Sequence, residues 1–201
     1  IVAFSTGNVY GLYPVAGGGA REDDPLRPEG EYAMSCLGRE RMFEHFSRAR
    51  AIPVALIRLN YACEMRYGVL LDTARRVRAG QAMNVDMGYL NAIWQGDANA
   101  MSLQCFDHAD TPPFVVNITG AEHLRVRDLC ARFGALLGTE PAVAGEEAPD
   151  ALLSNAAKAR ALFGGPRVDT ARLTAWTADW LRRGGETLDK PTHFEVRDGR
   201  F

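Results

Sequence analysis

Three short apolar runs, spaced far apart and separated by helix-like segments, constrain this chain most. Ile1–Thr6, Pro53–Tyr61 (PVALIRLNY) and Phe114–Ile118 each read as a buried strand running into small or polar residues. Between the first two lies Glu31–Arg50, where Ala33, Leu37, Phe43 and Phe46 form an apolar stripe at helical spacing. Strand, helix, strand is the rhythm of a parallel α/β sheet. The rest is helix-rich. Val69–Ala79 ends at Gly80, and Asp97 is placed to cap a helix over 98–109. Val126–Leu137 stops at Gly138, and Ala151–Phe163 and Thr170–Arg183 are each followed by glycine.

Segment 7–30 reads as a flexible surface loop. Its Gly17-Gly18-Gly19 run does not directly follow a strand, opens no helix and lacks the GxxxxGK[ST] phosphate-binding pattern. The formal net charge of -2 provides no bulk positive field for nucleic acid or an anionic membrane. The arginines at 39, 41, 48 and 50, and at 75, 76 and 78, read as solvated helix faces. No run of about 18 apolar residues exists, so no membrane span is expected. Cys36, Cys63, Cys105 and Cys130 are scattered without a CxxC pair, which argues against a metal site and a disulfide framework and makes a reducing cytoplasm the default. The tail, Leu188–Phe201, reads as a strap packing Phe194 and Phe201 on the body, or alternatively as a partner- or substrate-contacting segment. His45, His108, His123 and His193 fall in unrelated elements and suggest no catalytic set.

The chemistry-bearing stretch is Phe4-Ser5-Thr6-Gly7-Asn8-Val9-Tyr10-Gly11, followed by Tyr32-Ala33-Met34-Ser35-Cys36. A hydroxyl ends a strand, and a tyrosine starts a helix 26 positions later. Tyr32 and Cys36 are four apart and share one helical face. Tyr10 and Tyr13 read as packing aromatics, and Trp94, Trp176 and Trp180 as core or inter-lobe anchors. Arg58 reads as either a buried ion pair or an anion contact.

This stretch resembles the hydroxyl-x-x-x-YG and YxxxK motifs of the extended short-chain dehydrogenases/reductases of the NAD-dependent epimerase/dehydratase type. The resemblance implies Thr6 as the residue orienting the reacting oxygen and Tyr32 as the acid/base, with Ser5 a less favoured stand-in for Thr6. It implies cofactor contacts from Ser5, Tyr32, Leu59, Asn60 and the residue at position 36, and substrate contacts from Asn8, Asn60 and Arg66. The cofactor is NAD or NADP and the substrate a sugar or nucleotide sugar. Position 36 departs from the pattern: a lysine there would lower the tyrosine pKa, and Cys36, a neutral thiol, supplies no charge.

Further along, Val54–Tyr61, Trp94-Gln95-Gly96-Asp97-Ala98, Asn117-Ile118-Thr119-Gly120 and the stretch from Ala156 to Gly164 resemble successive segments of the same family in the same order. The implied fold is the later part of a Rossmann-like doubly wound parallel sheet with a small, mostly helical substrate lobe. Residues 1–62 then belong to the Rossmann-like domain and 63–201 mainly to the lobe, with 93–120 returning to the sheet. No GxxGxxG turn occurs in the 201 residues. The chain is therefore expected to be a C-terminal fragment with half a cofactor site and one open sheet edge. The family also implies a homodimer through the helix over 32–50. The two functional expectations are an NAD(P)-dependent epimerase, dehydratase or oxidoreductase, and a non-catalytic dinucleotide- or sugar-binding relative, the latter favoured by Cys36.

Overall fold

The computed structural model describes residues 1–200. Its centre is a parallel sheet of three strands, β1 (Val2–Thr6), β2 (Ala55–Leu59) and β3 (Phe114–Ile118), in that spatial order. The register places Thr6 beside Leu59 and Leu59 beside Ile118, so all three strands end at one level. Among the described residues six α-helices accompany them: α1 (Gly30–Arg50), α2 (Val69–Arg78), α3 (Gln95–Gln104), α4 (Val126–Leu137), α5 (Ala157–Phe163) and α6 (Thr170–Arg182).

The period-two alternation of a strand decides which face each residue serves. Ala3, Leu56 and Val115 point to one face and pack with Phe43 and Ile52 at the α1 side. Ile57, Val116 and Ile118 point to the other and meet Ala98 and Met101 of α3 and Ala159 of α5. With both faces covered, β2 is an unbroken apolar run apart from Arg58. Beyond β2, β1 has no strand neighbour among the described residues, and Ile1 and Phe4 stand about half exposed. The outer face of α1 also leaves Met34, Met42 and Phe46 exposed, which is the surface the dimer expectation would use.

The second body packs α2 against α4 and α6 around Leu70, Val77, Leu129, Phe133, Leu173 and Leu181. Each helix contributes its apolar stripe, and Gly138 ends α4 in the left-handed conformation expected of a helix stop. The tail joins this core: Phe194 is fully buried in it, and Thr192 donates from both its backbone N–H and its hydroxyl to Asp72 Oδ2 at 2.7 Å. Phe201, also expected to pack, lies outside the described residues. Among the described residues no helix is long and apolar enough to cross a membrane, and no group of three metal-ligating side chains occurs.

Three local expectations are corrected. Residues 151–156 are not helical. Ala151 pairs antiparallel with Tyr13, the Ala20 N–H donates to Leu153 O at 2.9 Å, and α5 starts only at Ala157, whose N–H donates to Asn155 Oδ1. Segment 7–30 is consequently pinned by this strap. Gly19, at φ +82°, sits so close to Ser154 that a Cβ would lie 2.7 Å from its carbonyl carbon. Asp97 is not a cap. It lies inside the first turn of α3 and accepts a hydrogen bond from the Val168 N–H at 2.9 Å, tying α3 to the segment before α6.

Candidate functional site

Parallel strands that end at one level leave their carboxyl ends facing a crevice, the usual ligand position in such sheets. Here a cleft of about 720 Å³ opens there, between the sheet and the helical lobe. Ser5, Thr6, Asn8, Tyr32, Leu59, Asn60 and Arg66 all line it. The structure thus brings together every expected site residue except Cys36, which packs behind the cleft with Val9, Tyr10 and Ala20.

Thr6 ends β1 and starts a single 3-10 turn, Gly7–Tyr10, its Oγ1 accepting the Asn8 N–H at 3.2 Å. That bond fixes the hydroxyl at the strand end. Tyr32 lines the same cleft, with the Thr6 hydroxyl near its phenol. Tyr32 sits in the first turn of α1 and is half exposed. Its pKa is raised, chiefly by burial and then by the neighbouring Cys36 thiol. The Thr6 hydroxyl and the positive charge of Arg39 pull the other way.

The remaining expected residues have structural duties as well. Asn60 is buried, and its Nδ2 donates to Asn91 Oδ1 at 2.9 Å and to Leu152 O at 3.2 Å, holding the strap to the sheet end. Arg66 donates through Nε to both carboxylate oxygens of Glu64, at 2.9 and 3.1 Å, while its carbonyl accepts the Leu188 N–H at the start of the tail. Ser5 Oγ lies buried beneath the cleft with no hydrogen-bond partner among the described residues. An unsatisfied hydroxyl at that place costs free energy that a polar ligand can recover.

Sequence reasoning missed part of the wall. Gln95 and Asn99 of α3, Tyr61 and Tyr67 after β2, and Leu188, Thr192 and Phe194 of the tail all face the cleft. The one signal available was the tail's mixture of aromatic and charged residues. Phe194 turns out both to pack and to line the site.

Behind the sheet, a buried polar network anchors α1. Arg58 donates to both carboxylate oxygens of Glu40, at 3.0 and 2.8 Å, and to the Tyr10 hydroxyl at 2.8 Å. Tyr10 in turn donates to Asn117 Oδ1 at 2.7 Å, and the Arg58 guanidinium lies over its ring. Arg58 is therefore a structural ion pair and makes no contact with the cleft. Burial and the Arg58 charge compete at Tyr10; burial prevails and pushes its pKa up to about 12.

No family model and no curated protein sequence matches this chain. Solved structures do. A UDP-glucose 4-epimerase from Thermus thermophilus, in complex with NAD, aligns at a TM-score of 0.74 and 21% identity, over 90% of this chain and 63% of its own. A UDP-glucose 4-epimerase from Thermotoga maritima, with UDP-glucose, aligns at 0.73 and 18% identity, over 91% and 63%. A dTDP-glucose 4,6-dehydratase from Bacillus anthracis, in complex with NAD, aligns at 0.75 and 18% identity, over 90% and 61%. At these identities the likeness is one of fold: the chain is a Rossmann-like α/β structure with a helical lobe. It spans under two thirds of the length of each of these three proteins.

Proposed function

We propose that the whole protein is an NAD(P)-dependent epimerase, dehydratase or oxidoreductase of the extended short-chain dehydrogenase/reductase family, acting on a nucleotide sugar. The observation that carries this reading is that Tyr32 and Thr6 line one cleft at the carboxyl ends of the strands, with the Thr6 hydroxyl near the phenol. A phenol and a hydroxyl placed together there can grip one sugar oxygen between them. Thr6 orients that oxygen, and Tyr32 takes its proton as the carbon is oxidised and returns it on reduction. The hydride chemistry would be supplied by a bound nicotinamide. Ser5, Leu59 and Asn60 line the strand ends along which the dinucleotide would lie, and the unsatisfied Ser5 hydroxyl fits a polar group there. Asn8, Asn60 and Arg66 are assigned to the substrate, with the Arg66 guanidinium suited to a diphosphate.

The test is turnover. The whole protein, supplied with NAD or NADP and a panel of UDP- and dTDP-hexoses, should convert at least one of them to an epimer or a dehydration product. Cofactor binding without turnover of any of them would instead support a second reading, a non-catalytic nucleotide-sugar sensor. Cys36 favours that alternative, because its thiol raises the Tyr32 pKa where a catalyst needs it lowered.

A further inference from the structure

We propose that Arg39 is a positioning residue for Tyr32, supplying from two helical turns away the positive charge that Cys36 cannot. This rests on the reading of Tyr32 as the proton-transfer group. A phenol with an ordinary pKa near ten needs a nearby cation to act as a base at neutral pH. One turn along α1, the residue beside Tyr32 is a buried thiol.

The geometry points to Arg39. Helical side chains lean back toward the amino end, so a long residue covers the turn before its own Cα. Arg39 does this: its Nη2 donates to Cys36 Sγ at 3.4 Å. Cys36 lies one turn from Tyr32 on the same helical face, and the Arg39 charge lowers the phenol's pKa against the larger effects of burial and of Cys36. Among the described residues no carboxylate lies within ion-pairing distance of Arg39, whereas nearby Arg41 is paired with Glu44. Two other arginines near the sheet end already have carboxylate partners: Arg58 is bound to Glu40 behind the sheet, and Arg66 to Glu64 across the cleft. From β1, the group nearest Tyr32 that bears on its pKa is the neutral Thr6 hydroxyl. Glu31 adjoins Tyr32 in sequence, but successive helical residues do not face each other. In this arrangement Cys36 is the sulfur acceptor that holds the guanidinium back along the helix, toward the turn that carries Tyr32.

The experiment is a pH titration of the protein labelled with ¹³C at the tyrosine ζ carbon, read by NMR, with the Tyr32 signal identified by its loss in Tyr32→Phe. Arg39→Gln is expected to move the Tyr32 titration to higher pH, and Arg39→Lys to hold it near its original position. Adding Cys36→Lys to the Arg39→Gln protein is expected to bring the titration back down, since it places an ammonium one turn from the phenol. The acidic limb of the pH profile of turnover should move with the titration. An unchanged Tyr32 titration in Arg39→Gln overturns the proposal. So does a titration that moves as far in Arg39→Lys as in Arg39→Gln, because that would make the effect one of shape and not of charge. The titration needs no turnover, so an inactive Arg39 variant, or a protein still active as Tyr32→Phe, leaves this result readable.

Discussion

Tyr32→Phe is expected to lower nucleotide-sugar turnover by about 10²- to 10⁴-fold, the range typical for loss of a positioned acid/base. The substitution removes one oxygen. Thr6 keeps its bond from the Asn8 N–H, so the strand end and its 3-10 turn should hold their shape. Tyr32 is half exposed and belongs to none of the hydrophobic clusters, so its hydroxyl adds little to the core. Cofactor affinity should therefore change much less than turnover. The pH profile supplies a second reading of the same variant. A tyrosine base works as the phenolate, so activity in the native protein should rise with pH toward the tyrosine pKa, and that rise should be absent from the residual activity of Tyr32→Phe. Steady-state kinetics over a pH series would check both. Turnover undiminished in Tyr32→Phe would remove Tyr32 from the chemistry.

The largest effect on stability is expected from Glu40→Ala, at about 3–5 kcal/mol. Arg58 and Glu40 are both almost wholly buried, and their bidentate contact compensates two desolvated charges at once. Truncating Glu40 leaves the guanidinium in the interior with only the Tyr10 hydroxyl and the Glu22 carbonyl as acceptors. A urea unfolding curve should show a clearly lower midpoint. The pair replaced together, as Glu40→Leu with Arg58→Met, should recover a large part of the loss, because apolar residues of similar volume often substitute for a buried ion pair without penalty. An unchanged midpoint in Glu40→Ala would mean that the pair does not hold α1 to the sheet. Glu40 lies eight residues beyond Tyr32 on the same helix, so this anchor also fixes where the phenol is presented.

These two residues illustrate what the chain discloses before it is folded. The three sheet strands and helices α1, α2, α4 and α6 follow from apolar runs and helical stripes closed by glycine or by a turn. Their signals are local, and local signals survive folding. Thr6 and Tyr32 are legible for a related reason, one ending a strand and the other starting a helix. Arg58, in contrast, leaves two readings open, because only the fold brings Glu40 from 18 residues away to meet it. The strap over 151–156 reads as helix in the sequence. Its backbone is extended by pairing with Tyr13 and Ala20, more than a hundred residues earlier, and no periodicity within the strap reports that. The Asp97 carboxylate reads as a cap because its true partner, the Val168 N–H, is 71 residues distant. The tail's place in the cleft wall and the return of Arg39 to Cys36 depend likewise on three-dimensional proximity and on side-chain lean.

The proposed function requires that the cleft at the carboxyl ends of β1 and β2 serve a nicotinamide dinucleotide. Calorimetric titration of NAD and of NADP into the whole protein tests it most directly. Saturable binding of at least one of them is expected, with one cofactor per chain, weakened when Ser5 is replaced by a bulkier residue beneath the cleft. No heat of binding from either would contradict it and leave the fold serving some other ligand.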